Sequence, residues 1–187
     1  MSKILTTQLT GLLQRIQQSE EEAIEETARL LAQAAIGQGT VYFATFGELE
    51  AIAIHAELGA QPFAKFARYD DSIELMPADR VIIFTRQASD EQALHLARKL
   101  NAEFIPFAAV ASEVASNDNE LSDLAYTYIS LKMRGGILPH PTKLGERIVF
   151  PHIMAALYIY EAIKMEFDEM VAGDEDEDDE QSASPFA

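Results

Sequence analysis

Along this chain the apolar residues alternate between helical spacing and short unbroken runs, and each switch marks an element boundary. Ile4, Leu5, Leu9, Leu12, Leu13 and Ile16 form the stripe of an amphipathic helix. Ser19 and Glu22 have the spacing of a capping box. A second helix is expected to start there, with Ile24, Thr27, Ala28, Leu31 and Ala35 on its apolar face and Gly37 or Gly39 at its end. Thr40–Ala44 is β-branched and aromatic and reads as a first strand, followed after Thr45-Phe46-Gly47 by a helix from Glu48 to Leu58. Between Pro62 and Pro77 the pattern is weak, with Phe63–Ala67 as a short strand. Val81–Phe84 is a run suited to a strand buried on both faces. Ser89 and Gln92 repeat the capping-box spacing, and Ala93, Leu94, Ala97 and Leu100 continue at helical period. Glu103–Val110 and Leu124–Leu131 read as further strands, separated by the polar loop Ser112–Ser122. Lys132–Gly145, with its glycines and prolines, reads as irregular, and Pro151 suits the first turn of a long helix reaching about Val171.

Strand–loop–helix units in series require right-handed crossovers. The expected fold class is therefore α/β: a three-layer αβα sandwich around a mostly parallel sheet of about five strands. In such a sheet ligands bind where a buried strand hands over to a helix N-terminus, which places the candidate site at Thr85–Asp90. Residues 1–18 are expected to form an N-terminal helix, 19–172 one domain and 173–187 a disordered acidic tail. The final helix, rich in apolar residues from Ile153 to Ile163, leaves almost no polar face, so a homodimer or higher homo-oligomer is expected to cover it.

Charge changes this picture little. The net charge is −17, of which the seven consecutive acids Asp174–Glu180 supply seven, leaving −10 elsewhere. Basic residues form no stripe, and a field of this sign repels phosphate backbones, which argues against nucleic-acid binding. Cysteine is absent, excluding disulfides and thiolate metal sites. No signal-type N-terminus or membrane-length apolar run is present, so the expectation is a cytoplasmic protein with no membrane contact.

Three stretches resemble the sugar isomerase (SIS) domain, and most closely its phosphoheptose isomerase branch. PHIMAALYIYEAIK (Pro151–Lys164) is similar to the HIMAIH-type closing helix, ADRVIIFTRQASDEQAL to the stretch D-x-V-I-x-x-S-x-S-G-x-T, and VYFATFGELEAIAIHAEL to the strand and G-x-G-G-S loop before the first site helix. The resemblance implies a sugar phosphate held by Thr45, Gly47, Thr85, Arg86, Gln87 and Ser89. It also locates the departures. Asp90 and Glu48 stand where the family has hydroxyl residues, and each carboxylate competes with an anion. Of the acid/base groups, His55 and Glu57 are two apart rather than four, and His152 matches the first histidine of the closing helix while the second is Leu157.

The reading that follows is a phosphosugar-binding protein without the usual isomerase residues, taking a sugar phosphate or related anion and using no cofactor or metal. An aldose/ketose isomerase with relocated acid/base groups would have to draw them from Glu48, Glu57 and His152. A structural or regulatory oligomer with a vestigial ligand site is the third class.

Overall fold

The computed structural model describes residues 2–182, with side chains as far as Asp174. Helix α1 (Ser2–Ile36) leads into strand β1 (Val41–Thr45), a single turn of 3-10 helix (Gly47–Leu49) and α2 (Glu50–Leu58). Then come β2 (Phe66–Arg68), β3 (Arg80–Phe84), α3 (Glu91–Ala102), β4 (Phe107–Ala111), α4 (Glu120–Leu124) and β5 (Thr127–Ser130). A two-residue antiparallel pair, β6 (Leu138–Pro139) and β7 (Arg147–Ile148), precedes the closing helix α5 (His152–Ser182).

All five main strands are parallel, in the order β2-β1-β3-β4-β5. Helices cover both faces, as expected for the three-layer sandwich. Successive side chains of a strand point to opposite faces, and the strands divide accordingly. Val41, Phe43, Ile82, Phe84, Ala108, Val110 and Ile129 pack under α1, α2 and α5. Ala44, Val81, Ile83, Phe107, Ala109 and Ala111 pack under α3 and α4. No helix among the described residues is long and apolar enough to cross a membrane.

Four expectations are corrected in detail. The first two helices are one, because Leu12, Ile16, Glu20, Ile24, Ala28 and Leu31 form a single buried stripe that continues past the exposed Ser19. Ser19 does not cap; its hydroxyl donates to the Arg15 carbonyl at 2.7 Å, one turn back in the same helix. The boundary expected after residue 18 thus falls inside α1. At α3 the cap is Asp90 rather than Ser89, its Oδ1 accepting from the N–H groups of Gln92 (2.9 Å) and Ala93 (3.0 Å). The stretch expected to be irregular, Lys132–Gly145, contains β6, and Arg147, just beyond it on β7, braces the pair by donating to the carbonyls of Gly136 (2.6 Å) and Ile137 (2.9 Å).

The last correction concerns α5. Its residues Ala155, Ala156, Ile159, Tyr160, Ile163 and Phe167 are buried, mainly against α1, but Ile153, Met154 and Met165 are exposed. The helix therefore has an inner and an outer face. It also continues past Val171, and the acidic tail expected to be disordered lies mostly outside the residues whose side chains are described.

Candidate functional site

At the C-terminal ends of β3, β4 and β5 the loops surround a cleft of about 1050 Å³. The β3–α3 loop forms one wall with Arg86, Gln87 and Ser89. Thr85 lies beneath it, fully buried, with its N–H donating to the Val110 carbonyl (3.0 Å) and its hydroxyl turned to the Gln87 carbonyl (3.3 Å). Its role is to close the loop on β4. Ser112 fastens the loop from the other side through its hydroxyl, which donates to the Arg86 carbonyl at 2.5 Å.

The opposite wall comes from the segment after β5. Lys132 and Arg134 line it, together with Arg15 from α1. Lys132 adopts a left-handed backbone (φ +54°) and its ammonium meets Glu20 at 2.5 Å. Glu20 is buried on the inner stripe of α1 and also accepts the Ser130 N–H at 3.0 Å. A helix residue thereby fixes the chain where it leaves the last strand.

The third side is the start of α5. His152 is buried, and its ring lies parallel to that of Phe150 at 6.4 Å; the Arg86 guanidinium sits 5.6 Å from the centre of the Phe150 ring. Glu48, on the 3-10 turn, approaches His152 Nδ1 at 3.6 Å and Arg86 Nε at 3.9 Å. Neither distance is a hydrogen bond, and Nδ1 of His152 has no partner. Burial, and after it the Arg86 charge, hold the imidazole below the usual histidine range against the opposing pull of Glu48. A neutral ring is the form present at neutral pH.

The structure thus brings Arg86, Gln87, Ser89 and His152 to one cleft with Glu48 at its edge, and leaves the other expected residues elsewhere. Gly47 supplies a left-handed turn (φ +60°) ahead of Glu48. Thr45 borders a separate hollow of about 430 Å³ with Tyr69, Asp70 and His95. Glu57 is exposed on α2 and paired with Arg68 at 2.8 Å, while His55 meets Glu161 at 2.7 Å. Among the described residues no three histidine or carboxylate groups converge as metal ligands. Arg15, Lys132, Arg134, Glu113 and Phe150 are cleft residues that sequence reasoning did not single out. The available signal was Lys132, which follows β5 as Thr85 and Arg86 follow β3.

This five-stranded parallel sheet with helices on both faces has the sugar isomerase domain fold, as its likeness to solved structures shows. The Vibrio vulnificus NanR protein complexed with ManNAc-6P superposes with a TM-score of 0.69 at 14% identity, covering 97% of this chain and 67% of that one. A candidate phosphosugar isomerase involved in capsule formation, from Bacteroides fragilis NCTC 9343, gives 0.64 at 12% identity, with 88% and 86% covered. The sugar isomerase domain of an RpiR transcription factor from Sphaerobacter thermophilus gives 0.57 at 14%, with 96% and 97% covered. Within that fold the chain belongs to the DUF2529 family, a domain of unknown function whose model matches residues 1–171. It is 32% identical over 172 residues to the uncharacterized protein YwjG of Bacillus subtilis (strain 168), covering 91% of this chain and 98% of YwjG.

Proposed function

We propose that the protein binds a phosphorylated sugar in the cleft between the β3–α3 loop and the segment after β5, and does not isomerise it. The observation that carries this reading is a cluster of cations at one cleft of an acidic chain, two of them without an ion-pair partner among the described residues. The whole chain has 31 acidic and 14 basic residues, yet four bases, Arg15, Arg86, Lys132 and Arg134, line the cleft with the acids Glu113, Asp118 and Glu120; Lys132 is held by Glu20 at 2.5 Å and Arg86 lies 3.9 Å from Glu48. One of those acids, Glu120, is engaged by Arg98 at 2.6 Å. Arg15 and Arg134 have no ion-pair partner among the described residues and are available to an anion. Guanidinium groups suit phosphate because they offer paired donors in one plane.

The absence of turnover follows from what surrounds the sugar. Moving a proton between adjacent carbons needs a positioned acid and base; Glu57 is turned away on α2 and Leu157 cannot transfer a proton. The isomerase alternative draws on one specific contact, the 3.6 Å approach of Glu48 to His152, and an assay separates the two. In a thermal-shift screen, a sugar phosphate at ~100 times its dissociation constant should stabilise the protein by ~2.7 kcal/mol. Arg86→Ala should weaken binding about tenfold or more by removing a charge-assisted contact, and Asp90→Ser should tighten it by removing a like charge from the loop. Turnover of sedoheptulose 7-phosphate abolished by His152→Ala would establish the isomerase instead. No shift with any sugar phosphate would favour the purely structural oligomer.

Self-association belongs to the same proposal. Leu157 and Ile163, on the face of α5 turned to the core, are unsuitable probes of it, whereas Ile153 and Met154 lie outward beside the exposed Phe150. Met154→Asp should lower the sedimentation coefficient of the protein while leaving it folded, with a melting temperature no longer dependent on protein concentration. An unchanged coefficient would place the contact elsewhere or show that the chain is a monomer.

A further inference from the structure

Several backbone donors around the β3–α3 loop already have acceptors, and one of those acceptors is a side chain from the loop after β4. Asp90 N–H is taken by the Gln87 carbonyl at 3.1 Å, and the N–H groups of Gln92 and Ala93 by the Asp90 carboxylate. The remaining bond is of another kind. Glu113, two residues beyond β4, reaches across the cleft floor so that its Oε2 accepts the Ala88 N–H at 2.7 Å. This is the length of a charge-assisted bond, in the place where an oxygen of a bound anion would approach the loop.

What holds Glu113 there is its backbone, not its side chain. The preceding Ser112 donates to the Arg86 carbonyl through both its N–H (3.2 Å) and its hydroxyl (2.5 Å). The Glu113 carbonyl accepts from the Tyr128 hydroxyl at 2.8 Å, a phenol that burial pushes up to about 12 and so keeps protonated as a donor. The side chain itself is exposed and has no ion-pair partner among the described residues. Its carboxylate can rotate into water while the main chain stays in place. Asp90 differs, since it caps α3 through two N–H groups and its departure would unsatisfy both.

We propose that Glu113 is an internal competitor for the anion site. Its carboxylate occupies the Ala88 N–H while the cleft is empty, and the phosphate of an incoming phosphate monoester displaces it. This inference rests on the reading of the cleft as a phosphosugar site and adds a specific consequence. Apparent affinity is the intrinsic affinity multiplied by the fraction of molecules in which Glu113 has swung out, so wild-type binding is weaker than the cationic wall alone would give.

The test is isothermal titration of the full chain with N-acetylmannosamine 6-phosphate, and separately with inorganic phosphate, for the wild type, Glu113→Ala, Glu113→Gln and Asp118→Ala. Both probes should bind Glu113→Ala about tenfold tighter than the wild type, the ratio expected for one bond to a charged group. Glu113→Gln keeps a neutral acceptor for Ala88 and should fall between. Asp118→Ala removes a charge from the same cleft without freeing a loop N–H, and screening should hold its effect below about threefold. In the amide spectrum of the free protein, the Ala88 proton should move upfield in Glu113→Ala as its carboxylate partner is lost. Equal gains for Glu113→Ala and Asp118→Ala would reduce the effect to net charge and overturn the proposal. So would a wild type that binds as tightly as Glu113→Ala, with the phosphosugar reading left standing. Binding by neither protein would overturn both.

Discussion

Phe43→Ala should cost about 3–5 kcal/mol of folding stability, the range for deleting a buried aromatic side chain and leaving its cavity. Phe43 sits in the middle of β1 and is 2% exposed. Its ring meets Phe63 at 5.1 Å and Phe66 at 5.2 Å edge-on, Phe84 stacked at 6.0 Å, and Tyr160 edge-on at 6.1 Å. One side chain therefore ties β1 to β2, β3 and α5. The neighbours cannot collapse into the vacated space without shifting three elements, which places the cost toward the upper end. A urea titration reads it as a fall in midpoint with an unchanged slope. A loss below 1 kcal/mol would mean that the aromatic cluster does not pack as described.

The second large effect is expected at Glu20. Glu20→Ala should destabilise by about 3 kcal/mol, because removing one member of a buried pair leaves the others without partners. The groups left are the Ser130 N–H, which donates to Oε2 at 3.0 Å, and the Lys132 ammonium, 2.5 Å from Oε1. Lys132 retains some contact with water, so the cost should stay at the low end of the range for fully buried pairs. Glu20→Gln keeps an acceptor for Ser130 and should recover part of the loss. Both variants should also weaken sugar-phosphate binding, since Lys132 would no longer be held on the cleft wall. Two variants with wild-type midpoints would show that the pair is not formed in solution.

The division between what the sequence revealed and what it concealed has a physical basis. β3 and β4 were legible because burial on both faces leaves an unbroken apolar run, and α3 because its stripe is regular. The length of α1 was not, since Gln17–Glu22 looks like a polar boundary. Glu20 stands in the buried stripe because its main partners, Ser130 and Lys132, lie 110 and more residues away. The cap of α3 was misplaced by one residue because Ser89 and Asp90 are both good capping residues, and only the backbone decides between them.

The site followed the same rule. The wall formed by Arg86, Gln87 and Ser89 could be read because loop and helix are contiguous in sequence. The facing wall could not. Lys132 and Arg134 come from a segment with no periodicity, and the Glu113 contact depends on the β3–β4 pairing that brings Ser112 to Arg86. Glu48 and His152 are the reverse case, two resemblance-derived candidates more than a hundred positions apart that the fold brings to 3.6 Å.

The central claim, a phosphosugar held in this cleft and left unchanged, is tested most directly by following backbone amide resonances while N-acetylmannosamine 6-phosphate is added, then analysing the recovered sugar. Saturable shifts should appear in Arg86–Asp90, around Lys132–Gly135 and at His152, with the sugar returned intact. Shifts confined to the hollow beside Thr45, Tyr69 and His95, no saturable shift at all, or conversion of the sugar would contradict it.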